Sequence, residues 1–258
     1  MDRWIGKTAV VTGAASGIGQ AITCALLRYG VNVAAIDIMN EKLNELKARK
    51  EQQEFPGILE TIWCDVSFEE ELNKAFEQIE TRMKGVDIMI NNAGYCEYSR
   101  VIDSDWKSFQ LILNTNVTPY AACMNKAVHS MRNRNVEGHI LNINSVLGHY
   151  IPPKSCEGII DAAFDFNLYV ASKHATVALT HTVRREIADI KPPIRITSIS
   201  PGLVKTNIVS RSEKVRNVFE KLSSLQPEDI ADAIIYALGT RQEVQITELT
   251  IQHTGEFP

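Results

Sequence analysis

The sequence predicts a doubly wound α/β fold, in which a parallel sheet of seven strands lies between two layers of helices. Short runs rich in β-branched and apolar residues recur along the chain, and amphipathic stretches alternate with them. The runs are apolar at nearly every position rather than at every second one, the pattern of strands buried on both faces. Strands are read at 8–11 (TAVV), 31–36 (VNVAAI), 61–63, 86–90 (VDIMI), 139–143 (HILNI), 194–199 (IRITSI) and 246–251. Helices are read between and after them at 19–29, 40–53, 68–84, 105–134, 169–190 and 227–238. Connections in such a sheet are right-handed, and ligands gather at the carboxyl ends of its strands.

The chain has 258 residues, 45% of them apolar and 22% charged. That is enough for one sizeable core and is read as a single domain, 1–258, without a separate substrate domain. A net charge of −4 offers no basic face, so no nucleic-acid partner is expected. No stretch approaches the ~18 apolar residues of a membrane span. The opening MDRWIGKTAVVTG runs into a glycine-rich turn and does not read as a secretory signal, so a cytoplasmic protein is expected. Five cysteines (Cys24, Cys64, Cys96, Cys123, Cys156) are scattered without a CxxC pair. They read as reduced thiols, with neither a disulfide framework nor a metal site.

The first strand leads into Thr12-Gly13-Ala14-Ala15-Ser16-Gly17-Ile18-Gly19 and then a helix. Glycines in such a turn let the backbone approach a pyrophosphate, and the helix N-terminus offers free N–H groups and a positive dipole end. Asp37 closes the second strand, 18 residues beyond Gly19. An acid there accepts hydrogen bonds from both hydroxyls of an adenosine ribose and repels a 2′-phosphate, so NAD is expected over NADP. Asp37 also suits a cap for the following helix. Tyr169 and Lys173 stand four apart on a predicted helix and share a face. A lysine cation favours phenolate and draws a tyrosine pKa down from ~10 toward working pH. That pair suits a general acid/base exchanging a proton with a hydroxyl or carbonyl.

The chain also carries Asn91-Asn92-Ala93-Gly94, Asn116, Ser145 in an INS segment, and Pro201-Gly202-Leu203-Val204-Lys205-Thr206. Singly, these read equally well as turns and caps. In this order, with the glycine loop and YxxxK, they resemble the short-chain dehydrogenase/reductase family over almost the whole chain, which implies a Rossmann-type three-layer fold. The resemblance implies Asn116, Ser145, Tyr169 and Lys173 as the catalytic set. Tyr169 would be the acid/base, Ser145 would hold the substrate oxygen, Asn116 would hold a water in the proton relay, and Lys173 would bind the nicotinamide ribose. It assigns Gly13, Ser16, Gly17, Ile18, Gly19, Asp37, Asp65, Val66, Asn91, Ala93, Gly94, Tyr169, Lys173, Pro201, Gly202, Val204 and Thr206 to the cofactor. It further implies a homodimer or homotetramer, with 105–134 and 169–190 as interface helices.

The opening residues, LNINSVLGH, LQPEDIADAIIYAL and EVQITELTIQHTGE are similar to a farnesol-dehydrogenase-like subgroup that includes dehydrogenase/reductase member 11. This implies lipophilic isoprenoid or steroid-like alcohols and ketones. It also implies NADP(H), which Asp37 contradicts. Ser145 and Tyr169 stand 24 positions apart, further than is usual in the family. The extra residues, 148–166, are expected to wall an apolar substrate pocket or to loop over the surface. Residues 207–225 are expected to form a helical lid. The readings set against an NAD-dependent alcohol oxidoreductase are an NADP(H)-dependent carbonyl reductase and a catalytically silent dinucleotide-binding regulator.

Overall fold

A computed structural model describes residues 1–152, 165–190, 193–206, 208, 217 and 220–256. The sheet contains β1 (Thr8–Thr12), β2 (Asn32–Asp37), β3 (Leu59–Trp63), β4 (Ile88–Asn91), β5 (Gly138–Ile143), β6 (Ile194–Pro201) and β7 (Glu248–Ile251). Its spatial order is β3-β2-β1-β4-β5-β6-β7, and every pairing is parallel. The chain winds outward from β1 to β3, then returns to place β4 on the other side of β1, with Val11 paired to Ile90. The crevice of a doubly wound sheet opens at that reversal, beyond Thr12 and Asn91.

Helices α1 (Gly17–Arg28), α2 (Asn40–Gln52), α3 (Glu69–Met83), α4 (Trp106–Asn116), α5 (Thr118–Arg134), α6 (Tyr169–Ile190) and α7 (Pro227–Gly239) cover the two faces. Alternate strand residues feed two separate cores. Ala9 and Val11 join Ile22, Leu26, Ile234 and Leu238 on one face, while Val10 joins Phe76, Ile79, Met124 and Ile187 on the other. Both-face burial thus explains why the strands read as unbroken apolar runs. Trp4 is buried in the first core and donates its indole N–H to Leu238 O at 2.9 Å, fixing the N-terminal turn against α7.

Local chemistry sets the element ends. α3 begins with Glu69, Glu70 and Glu71 at its positive dipole end and stops at left-handed Lys84. α7 opens with Pro227 and a capping box between Gln226 and Asp229. The single helix expected over 105–134 is instead two, α4 and α5, broken at Val117. Pro119 explains the break, because in a continuous helix its ring would strike the carbonyl of Thr115 and leave that carbonyl without a donor. The 207–225 lid lies mostly outside the described residues, as do positions 153–164 of the 148–166 segment.

Candidate active site

The glycine loop is stitched to the end of β4. Thr12 Oγ1 accepts hydrogen bonds from the N–H groups of Asn92 (3.0 Å) and Ala93 (3.1 Å). Asn92 Nδ2 donates back to Thr12 O (2.9 Å) and Gly13 O (3.1 Å). Gly13 and Gly17 have φ of +64° and +50°, a region that suits glycine. A Cβ on Gly19 would lie 2.0 Å from Gly13 O, so this glycine is what lets the helix close on the loop. The cradle therefore fits a dinucleotide phosphate.

Asp37 is 5% exposed at the end of β2. Its carboxylate accepts from Ala15 N–H and Met39 N–H, both at 2.9 Å, which fixes it between the glycine loop and α2. From Asp37 and Asp65 a cavity of about 1250 Å³ runs past Gly13, Ala93 and Gly94 to Ser145, Tyr169 and Lys173. Its wall also takes in Ser16, Gly17, Ile18, Val66, Pro201, Gly202, Val204 and Thr206, each expected from the sequence. Gly19 and Asn91 do not line it. Gly19 acts through packing, and Asn91 turns into the sheet, where its Nδ2 donates to Asn142 Oδ1 at 2.8 Å. Asn92, the next residue, faces the cavity instead.

At the far end, α6 presents Tyr169 and Lys173 one turn apart. Lys173 is 4% exposed and donates to Ile143 O at 2.9 Å, with Nζ 5.6 Å from the centre of the Tyr169 ring. Tyr120 OH donates to the same carbonyl at 2.9 Å. Ser145 caps the 3-10 turn Val146–Gly148 by accepting from Leu147 N–H, and its hydroxyl neighbours the Tyr169 phenol closely enough to hold the phenol pKa down. Asn116, at the break between α4 and α5, accepts from Tyr95 N–H (2.7 Å) and donates to Tyr95 O (2.9 Å) and Ser172 Oγ (3.0 Å). Its side chain ties the loop after β4 to α6. Asn116 itself does not line the cavity.

The electrostatics differ from the simple expectation. Burial raises the Tyr169 pKa, helped by Cys96 and Tyr120, and only the Ser145 hydroxyl opposes. Burial also lowers Lys173 to about 8. Both groups occupy the same poorly solvated end of the cavity, which disfavours the charged form of each.

Of the 148–166 segment expected to wall the pocket, Tyr150, Pro152 and Phe166 line the cavity, whereas Cys96, Tyr98 and Glu256, which also line it, carried no signal in the sequence. Cys96 is buried, with its thiol pushed up to about 12 chiefly by that burial. Glu256 accepts from Leu203 N–H (2.9 Å) and His253 N–H (3.1 Å). A Cβ on Gly202 would lie 2.3 Å from the Glu256 carboxylate, so Gly202 is what admits the C-terminal segment to this wall. Cys24, Cys64, Cys96 and Cys123 are free and buried, and Cys156 lies outside the described residues. Among the described residues there is no His/Cys/Asp/Glu cluster that could hold a metal, and no helix is long and apolar enough to cross a membrane.

A doubly wound sheet, a glycine cradle at its reversal and a Ser/Tyr/Lys cluster at the same crevice define the class as an enzyme of the dehydrogenase/reductase kind. The short chain dehydrogenase profile matches residues 7–217, and the chain belongs to that family. It is 41% identical to a farnesol dehydrogenase of Aedes aegypti, over 99% of both chains. It is 36% identical to dehydrogenase/reductase SDR family member 11 of Gallus gallus, over the full length of both. The fold is shared with an alcohol dehydrogenase from Thermococcus sibiricus complexed with 5-hydroxy-NADP (TM-score 0.80, 24% identity, 98% of each chain). It is also shared with a short chain dehydrogenase/reductase from Burkholderia phymatum in complex with NAD (TM-score 0.84, 21% identity, 97% of this chain and 90% of that one).

Proposed function

We propose that this protein is an oxidoreductase that moves hydride between a nicotinamide cofactor, NAD in preference to NADP, and a lipophilic alcohol or its carbonyl partner. The continuous cavity from Asp37 to Tyr169 carries this reading, since it joins a ribose-type acceptor, a phosphate-type cradle and a proton-handling phenol. The glycine loop, Asp37, Asp65, Val66, Ala93, Gly94 and the 201–206 segment would hold the cofactor, with Lys173 at the nicotinamide ribose. Bound there, the nicotinamide supplies the hydride acceptor or donor.

The chain's own groups handle the proton. In oxidation Tyr169 Oη takes the hydroxyl proton, and in reduction it returns one to the carbonyl oxygen. Ser145 Oγ holds that oxygen and stabilises charge on it. Burial raises the phenol pKa, so the phenolate that oxidation requires would depend on stabilisation by the Lys173 ammonium, which persists below about pH 8. Cys96, Tyr98, Leu111, Val146, Tyr150 and Phe166 give the substrate end an apolar and aromatic lining, which favours a lipophilic substrate. A homodimer or homotetramer pairing through α4, α5 and α6 in the cytoplasm completes the proposal.

Tyr169→Phe tests it. Turnover should fall by about 10²–10⁴ while NAD binding, read by nicotinamide-cofactor titration, is retained. Alcohol oxidation at the wild-type rate by this variant would overturn the mechanism.

A further inference from the structure

The substrate end of the cavity has an aromatic wall made by Phe166, from the segment expected to wall the pocket, and by Tyr98, which no sequence motif marked. The Tyr98 and Phe166 rings lie 5.5 Å apart, and Phe166 lies 6.3 Å from the ring of Tyr169. All three line the cavity. Tyr98 and Phe166 come from segments far apart in the chain, joined by a lone parallel bridge between Ser99 and Phe166. The next residue, Asn167, is buried in left-handed backbone (φ +47°) and donates its N–H to Ser99 O at 3.0 Å.

The side chain of Asn167 faces a cluster of serines. Its Nδ2 lies 3.0 Å from Ser99 Oγ, 3.0 Å from Ser104 Oγ and 2.8 Å from Ser108 Oγ. The serines are themselves anchored. Ser108 Oγ donates to Glu97 Oε2 at 2.7 Å, Ser104 Oγ donates to Arg100 O at 2.7 Å, and Ser99 Oγ lies 2.9 Å from Ser104 Oγ. Asn167 Oδ1 is buried without a hydrogen bond among the described residues, so the side chain is held through Nδ2 alone. Asparagine is among the few residues that tolerate left-handed backbone and can also donate from a short side chain.

We infer that Asn167 is a positioning residue for substrate selectivity, clasping the 97–108 segment to Phe166 so that the Tyr98–Phe166 wall faces the chain of a long apolar substrate beside Tyr169. It touches neither the reacting atoms nor the cofactor cradle and acts through Phe166. A short alcohol engages Ser145 and Tyr169 without reaching the wall, whereas a long one lies across it. This inference rests on the apolar-alcohol reading above.

The test compares kcat and KM for butanol and decanol with NAD in the full-length wild type, Asn167→Gly, Ser108→Ala and Phe166→Ala. Glycine keeps the left-handed turn and removes only the amide. Asn167→Gly is expected to raise the KM for decanol about three- to tenfold with little change for butanol, and to leave kcat within about twofold. A merely structural defect would reduce active enzyme and lower kcat for both alcohols alike. Ser108→Ala, a milder lesion, should shift the ratio of the two KM values in the same direction by about twofold; it keeps the inference testable if the glycine variant does not fold. Phe166→Ala should shift that ratio by about tenfold. An unchanged ratio in folded Asn167→Gly or Ser108→Ala, with Phe166→Ala shifted, overturns the clasp alone. An unchanged ratio in Phe166→Ala overturns the wall and the apolar-substrate reading with it.

Discussion

The sharpest electrostatic prediction concerns Asp37. Its carboxylate is nearly buried, and each oxygen already accepts one backbone N–H at 2.9 Å, so it cannot swing aside to admit another anion. A 2′-phosphate carries a charge of about −1.5 to −2, by analogy with other phosphomonoesters near neutral pH. Two unit charges about 4 Å apart interact by about 4 kcal/mol at an effective dielectric near 20. Relaxation and partial solvation at the open cavity mouth reduce this, so about 1.5–3 kcal/mol, or about 10- to 100-fold in affinity, is a reasonable expectation. Asp37→Asn is the informative change because it removes the charge while keeping the shape and one acceptor. NADP is expected to bind about 10- to 100-fold more tightly to this variant, and NAD more weakly through loss of charge-assisted ribose contacts. One of the two amides loses its acceptor, which should cost about 1–3 kcal/mol of stability. Fluorescence titration with both cofactors gives the affinities, and urea unfolding monitors the fold. An unchanged NAD/NADP ratio in a folded Asp37→Asn would refute the reasoning.

Gly19→Ala would drive a methyl to 2.0 Å from Gly13 O and 2.6 Å from Asn92 Nδ2, so a loss of about 1–3 kcal/mol by urea unfolding and weakened NAD binding are expected. Equal stability and equal affinity would mean that the cradle readily yields. For Lys173, burial lowers the pKa from 10.5 to about 8, so the folded state loses this proton at lower pH than the unfolded chain. The penalty is fully present below about pH 8 and is relieved as pH rises toward 10.5. Wild-type stability should therefore rise by up to about 3 kcal/mol between pH 8 and 10, relative to Lys173→Met. A flat difference between the two proteins across that range would count against a buried ammonium.

What was legible in the sequence follows from the range of the forces that set it. Strands buried on both faces announce themselves residue by residue, so β1, β2, β4, β5 and β6 were placed close to their observed limits. β3 is only partly buried and its upstream end was missed: the strand starts at Leu59, not 61. The 105–134 stretch reads as one helix because helix-forming residues continue across Val117; Pro119 is the breaker that divides it. The glycine loop, Asp37 and the Tyr169/Lys173 pair were legible because each is set by a local turn or a single helical turn.

Asn91 and Asn92 show where such reasoning stops. A motif named both as a unit, but the parity of β4 sends Asn91 into the buried network with Asn142, and the strand's end frees Asn92 for the crevice. Tyr98 and Glu256 were invisible for a further reason, and Phe166 was legible only as part of the 148–166 segment. Their place in the cavity depends on contacts between distant segments, the Ser99–Phe166 bridge in one case and the bare Cα of Gly202 in the other. Chemistry shared by many members of a fold can sit on local motifs, because the same proton transfer recurs. Discrimination between substrates falls to these long-range contacts, where one residue such as Asn167 can set which alcohol fits while the catalytic motif stays unchanged.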